Sequence, residues 1–225
     1  MAGTAIDVIL FDLGGVLIEL AGVEKMLEWS PGIDSTEELW RRWLHSDAVR
    51  SFETGATDRD AFARDVIAEF GVPVPEHEFL AAFTSWPRAV LPGAFELLES
   101  LRGRYRLASV SNTNEIHWAR FSEQWSLDRA FHHNFPSHLV GKLKPDEAYF
   151  AHVVEAMGVP VQRVLFIDDN VINVEAAARL GLHARRVVGV EGARQVFFEL
   201  GVLGNARPPQ AQPRPAQDRE DGSEP

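Results

Sequence analysis

The sequence predicts an α/β fold, a doubly wound and mostly parallel sheet of Rossmann-like type with an α-helical insertion after the first strand. Three observations predict it. Short apolar runs of strand length recur along the chain, amphipathic helical stretches separate them, and one long segment after the first run is helical in pattern throughout. With 225 residues the chain can cover one core and carry an insertion, but it is too short for three independent domains.

The elements follow in order. Ile6 to Phe11 (IDVILF) reads as a buried strand, stopped by Asp12 and the pair Gly14 and Gly15. Ala21 to Trp86 holds no convincing strand. Within it, Ser35 and Glu38 fit a capping box ahead of Leu39, Trp40, Trp43 and Leu44, and Asp58 precedes Phe62, Val66 and Phe70 at steps of four. Val72 to Pro75 (VPVP) divides this insertion, and Trp29, Trp40, Trp43 and Trp86 are expected to give it a small core of its own. Leu91, Pro92 and Gly93 mark the return to the sheet. Arg106 to Val110 (RLASV), Val164 to Ile167 (VLFI) and Arg186 to Val190 (RVVGV) read as the later strands. Between them, Ala94 to Leu101 puts Phe95, Leu98 and Leu101 on one helical stripe, with Glu96 to Glu99 as the wet face. Asp146 to Met157 starts after Pro145 and ends at Gly158, and Val174 to Leu180 stops at Gly181. The expected division is residues 1–20 and 87–204 as a catalytic core, 21–86 as the helical unit, and 205–225 as a proline-rich disordered tail with too little apolar surface to offset its ordering entropy.

Composition narrows the function. An apolar share of 45% with 24% charged residues excludes collagen, coiled coil and wholesale disorder. A formal charge of −11 offers no basic face to a phosphate backbone, so nucleic acid is not an expected partner. The absence of cysteine removes disulfides, thiolate zinc sites and a thiol nucleophile. With no uninterrupted apolar run of about 18 residues, the expectation is a soluble, cytoplasmic protein with no membrane span. Eight histidines show no convincing ligand spacing, and Arg185 with Arg186 reads as a solvent-facing pair.

In such a sheet, ligands gather at the carboxyl ends of the strands. There Phe11-Asp12-Leu13-Gly14-Gly15 sets an acid at a glycine turn, either as nucleophile or metal ligand or as a simple turn cap. Phe166-Ile167-Asp168-Asp169-Asn170 sets two acids side by side. They repel unless a cation or donors compensate them, and hard oxygens from two strand ends suit Mg²⁺; the alternative is an acidic helix start. Asn173 lies where it can steady them. Val110-Ser111-Asn112-Thr113-Asn114 offers hydroxyl, amide and N–H groups either to phosphate oxygens or as a helix cap, and Gly141-Lys142-Leu143-Lys144-Pro145 brings two cations that bind phosphate or stay solvated.

Taken together and in this order, the four pieces resemble the motifs of the haloacid dehalogenase-like hydrolase superfamily over about residues 6 to 200. Val110 to Asn114, Lys144-Pro145, Phe166 to Ala177 and the Asp-Leu-Gly start look most like the subgroup containing bacterial α-D-glucose-1-phosphate phosphatase. The resemblance implies a Mg²⁺-dependent phosphomonoester hydrolase for a small phosphorylated metabolite, a monomer or homodimer, in which Asp12 attacks phosphorus and forms an aspartyl-phosphate. It further implies that Asp12, the Gly14 carbonyl and Asp169 bind the metal with Asp168 and Asn173 in support, that Ser111, Asn112 and Lys144 hold the phosphoryl oxygens, and that the helical unit is a cap. One departure stands out: where most phosphatases of the superfamily carry a second Asp, this chain has Gly14, which supplies no general acid. Substrates with a readily departing oxygen, such as sugar 1-phosphates or acyl phosphates, are therefore expected, or else water or a residue of the cap replaces the missing acid. Two other readings accompany it, a 2-haloacid dehalogenase and a non-catalytic phosphate-binding regulatory relative.

Overall fold

The computed structural model describes residues 6–204, so the tail expected at 205–225 lies outside the described residues. The chain begins with β1 (Val8–Phe11) and β2 (Ile18–Leu20), followed by the helices α1 (Gly22–Trp29), α2 (Thr36–His45), α3 (Asp47–Glu53), α4 (Arg59–Phe70) and α5 (Glu76–Thr84). It returns through β3 (Pro87–Val90), α6 (Ala94–Arg102), β4 (Arg106–Ser111), α7 (Glu115–Ala119), β5 (His133–Pro136), α8 (Ser137–Val140) and α9 (Glu147–Met157). The last elements are β6 (Val164–Asp168), α10 (Val171–Arg179), β7 (His183–Arg186) and α11 (Gly189–Glu199).

Five strands form one parallel sheet in the order β5-β4-β1-β6-β7, as expected of a doubly wound α/β fold. A strand covered by helices on both faces must be apolar at every position, and β1 reads VILF for that reason. Its side chains alternate between two cores. Ile9 and Phe11 pack with Leu107, Leu165 and Ile167 beneath Leu97, Leu101 and Phe197 of α6 and α11. Val8 and Leu10 pack with Val110 and Phe166 beneath Phe150, Val153 and Ala177 of α9 and α10. Phe11 pairs with both Ser109 and Ile167, so β1, β4 and β6 end at one edge of the sheet, and the residues that follow them meet there.

Three local expectations are corrected. The run Arg186–Val190 is not a strand: β7 is His183–Arg186, and its last partner is Asp168, where β6 stops. With no ladder left, Val188 turns to solvent at 64% exposure while Val190 enters α11 and is buried. On α6 the buried stripe is Ala94, Leu97, Leu98 and Leu101; Phe95 stands outside it at 43% exposure, and only Glu96 and Glu99 of the supposed wet face are wet. The edge strand β5 (HNFP) has too little apolar pattern to be read from sequence.

The helices α1 to α5 enclose an aromatic core of their own. Trp29, Trp43, Phe52, Phe62, Phe79, Phe83 and Trp86 are buried together, Trp40 packs on them, and the Phe52 and Phe62 rings stack with centroids 4.3 Å apart. The caps act as their chemistry dictates: Ser35 Oγ accepts from the Glu38 N–H at 3.2 Å, and Asp58 Oδ1 accepts from the Asp60 and Ala61 N–H groups. The segment enters and leaves through β2 and β3, an antiparallel ribbon in which Ile18 faces Val90.

Candidate active site

The Asp12 N–H donates to the Ile167 carbonyl at 2.9 Å, which extends the β1–β6 ladder by one residue and sets Asp12 beside Asp168. The chain then turns at Gly15, whose φ of +69° favours glycine and whose N–H donates to Ile18 O at 2.9 Å. A Cβ at Gly15 would lie 2.2 Å from Asp169 Oδ2, so the β1 and β6 loops touch only because the side chain is missing.

Lys144 closes the group from a third direction. Its Nζ donates to Asp12 Oδ1 at 2.7 Å and to Asp168 Oδ2 at 2.6 Å, with 1% of the residue exposed. The loop that delivers it is fixed by Asn112, at the end of β4: Asn112 Nδ2 donates to the Lys144 carbonyl and Asn112 Oδ1 accepts from the Lys144 N–H, both at 2.8 Å. Behind the acids, Asn173 Nδ2 donates to both Asp168 oxygens at 3.1 and 3.0 Å, and the Asn170 N–H donates to Asp168 Oδ1 at 2.8 Å.

The electrostatics show a deficit of positive charge. Burial pushes the Asp12 carboxyl up to about 8; Lys144 opposes the rise, while Asp168 and Asp169 add to it. Asp169 is pushed up to about 6, first by burial and then by Asp168, against Lys144 and Arg186. Burial by itself would lower the ammonium of Lys144, yet Asp12 and Asp168 more than reverse this and hold it above the ordinary lysine range. One ammonium thus pairs with two carboxylates, and a third lies beside them. One oxygen from each of Asp12, Asp168 and Asp169 lies within 4.8 Å of the others, a set of hard oxygen donors that fits a small divalent cation.

The family model of the haloacid dehalogenase-like hydrolases matches residues 6–181. The chain belongs to that family. Among its relatives are the sesquiterpene phosphatase astK of Aspergillus oryzae, 26% identical over 80% of this chain and 90% of that protein, and a phosphoglycolate phosphatase of Pseudomonas putida, 28% identical over 80% of this chain and 68% of that protein. The solved structure of the HAD family enzyme bt-2542 from Bacteroides thetaiotaomicron superposes with a TM-score of 0.70 at 26% identity, covering 86% of this chain and 98% of that one. A second structure of bt-2542, in complex with magnesium and inorganic phosphate, covers 81% of this chain and 94% of that one with a TM-score of 0.64 at 25% identity.

In this haloacid dehalogenase-like hydrolase, Asp12, Asp168, Asp169, Lys144 and Asn173 come together. Asn112 stands next to them, with its side-chain amide used on the Lys144 backbone. Ser111 is buried, and its hydroxyl makes only a 3.5 Å contact with the Asn112 carbonyl among the described residues. The helix-capping role falls to neighbours: Asn114 caps α7 and Asn170 caps α10, so Ser111 and Asp168 are not used there. Gly14 lies in the turn with no side chain to offer, its backbone bridged to Ile18. Two residues escaped the sequence reading. Arg186, exposed as expected, also donates from Nε to the Asp169 carbonyl at 2.9 Å and so braces the second acid loop. Glu53, the last residue of α3, is half-buried and feels the Lys144 charge from the insertion side. Its only sequence signal is its spacing of three from Arg50.

Proposed function

We propose that this chain is a Mg²⁺-dependent phosphomonoesterase acting on a small phosphorylated metabolite, with Asp12 as nucleophile and residues 21–86 as a cap over the site. The observation that carries this reading is the Lys144 ammonium held between Asp12 and Asp168, within a three-acid cluster at the ends of two neighbouring strands. Asp12, Asp169 and the Gly14 carbonyl would hold the ion, which when bound neutralises charge on the acids and on the transferring phosphoryl group. The complex of bt-2542 with magnesium and inorganic phosphate supports both ligands.

The chain's own residues divide the work as follows. An Asp12 oxygen forms a bond to phosphorus as the bond to the leaving oxygen breaks, giving an aspartyl-phosphate; water then attacks that phosphorus and releases phosphate and the free carboxylate. Lys144 orients Asp12 and offsets phosphoryl charge, and the Ser111 hydroxyl and Asn112 N–H bind phosphoryl oxygens. Asp168 and Asn173 keep Lys144 in place. A cap excludes water and selects the substrate.

Because Gly14 provides no acid, esters whose oxygen leaves readily are favoured, sugar 1-phosphates first among them. A second substrate class has its own support. Leu20 at the end of β2, Val171 and Ile172 at the start of α10 and Val188 after β7 are exposed apolar side chains, which would suit a terpenyl phosphate such as the name of the astK relative suggests. The test is phosphate release with Mg²⁺ from p-nitrophenyl phosphate, glucose 1-phosphate, glucose 6-phosphate and farnesyl phosphate, beside Asp12→Asn. Turnover that survives the substitution removes the nucleophile, and faster cleavage of glucose 6-phosphate than of glucose 1-phosphate removes the leaving-group argument.

A further inference from the structure

Asp146 stands at the N-cap position of α9, where an aspartate ordinarily accepts hydrogen bonds from the N–H groups of the helix's first turn. Asp58 does this for α4, with Oδ1 taking both the Asp60 and the Ala61 N–H. Asp146 does not. Its side chain makes no bond to α9, and Oδ2 instead accepts from Arg50 Nη2 of α3, 96 residues away in the chain, at 2.6 Å. Because Asp146 follows Lys144 by two residues, this pair seats the helical segment on the loop that carries the lysine. Gly55 makes a second contact nearby, so close to α8 that a Cβ there would meet the His138 carbonyl at 2.5 Å.

The segment is fastened differently where it rejoins the sheet. In the last turn of α5 the Phe83 carbonyl accepts from His117 Nε2 and the Thr84 carbonyl from Arg120 Nη1, both at 2.7 Å, and the Phe83 and His117 rings lie 4.3 Å apart. These bonds adjoin the β2–β3 ribbon and so act as a pivot. The Arg50–Asp146 pair is of the kind that breaks readily, since its side chains are 34% and 43% exposed and water can replace either partner. We propose that Asp146 is a two-position latch for the helical segment. With the segment seated, its carboxylate holds Arg50; with the segment lifted, the carboxylate turns back and caps α9. The Ala148 N–H receives it, because the Tyr149 N–H is already taken by the Asp146 carbonyl at 3.0 Å. The exchange gives the carboxylate a partner in both positions and keeps the start of α9 in order while substrate enters. Asn112 meanwhile holds the Lys144 backbone from the β4 side. The inference rests on the reading of residues 21–86 as a cap and adds which of its contacts opens.

The test compares the full chain with Arg50→Ala, with Asp146→Ser, and with the exchanged pair Arg50→Asp/Asp146→Arg, on p-nitrophenyl phosphate with Mg²⁺. Serine still caps a helix but is too short to reach Arg50. Loss of the pair lowers the seated fraction, so each single variant is expected to raise KM about two- to fivefold, with kcat held or raised. The exchanged pair should bring KM back toward the wild-type value. A fall in kcat at constant KM is the mark of a merely structural pair and overturns the latch, as does an unchanged KM. Amide hydrogen exchange reads the other position. The Ala148 N–H should exchange more slowly in Arg50→Ala than in wild type, because the freed carboxylate caps it; equal or faster exchange overturns the proposal. Wild-type protein that hydrolyses no phosphate ester with Mg²⁺ overturns the phosphatase reading, and the exchange rates, which need no turnover, then decide the latch by themselves.

Discussion

Asn112 and Lys144 hold each other through two reciprocal hydrogen bonds of 2.8 Å, side-chain amide to backbone carbonyl and backbone N–H to side-chain oxygen. The pairing ties the end of β4 to the lysine loop, residues far apart in the chain. An ammonium buried between two carboxylates is useful only if its backbone cannot drift, and Asn112 removes that freedom. Asn112→Ala leaves a buried N–H and carbonyl unsatisfied and is expected to cost about 1–3 kcal/mol in urea unfolding. Phosphate release should fall along with stability, and unchanged unfolding would show that the pairing does not hold the loop.

Removing the ammonium itself is more severe. Lys144→Met strips the shared ion-pair partner from Asp12 and Asp168, leaving Asp168 only the donors Asn173 and the Asn170 N–H, and a loss of about 3–5 kcal/mol is expected. Mg²⁺ should restore part of that stability in the variant and more in absolute terms than in wild type. An unfolding midpoint indifferent to both substitution and metal would contradict the electrostatic account.

The acids also predict a pH dependence for metal-free protein. Asp12 and Asp169 titrate near 8 and near 6 when folded, above the unfolded value of 3.8, so the folded state binds more protons than the unfolded state across that range. Their contribution is complete below the unfolded value and is lost as pH rises through about 6 and then about 8. Thermal midpoints measured in EDTA should therefore decline from weakly acidic to weakly alkaline pH. Saturating Mg²⁺ should flatten that decline, because it replaces the bound protons; a profile that rises with pH in EDTA would refute the sign.

Gly15 is predicted to tolerate nothing larger. Gly15→Ala meets both an unfavourable φ, costing about 1–3 kcal/mol, and the Asp169 carboxylate. The displaced Asp169 should weaken Mg²⁺ binding in calorimetry beyond what the change in stability explains. Gly141→Ala makes a suitable control, since its φ is also positive but a Cβ there meets nothing within 4 Å.

What could be read from the sequence follows from where each residue lies. Strands β1, β4 and β6 are legible because burial on both faces demands uninterrupted apolar runs, and the acids stand out because they interrupt those runs at the productive edge. Strands β5 and β7 border the sheet, where HNFP and HARR carry no such signal. RVVGV imitates a strand, but its valines serve a loop and α11 because β6 offers no further ladder. Residue identity could suggest that Lys144 and Asn112 meet a ligand; only the fold shows that the amide is spent on the lysine backbone.

The antiparallel pairing of Ile18 with Val90 places the two ends of the helical segment side by side. A new bundle of any size could be spliced between those neighbours without altering the order of the parallel strands or the spacing of the acids. On the proposed reading, the helical segment can change in size and lining while the acid cluster keeps its place.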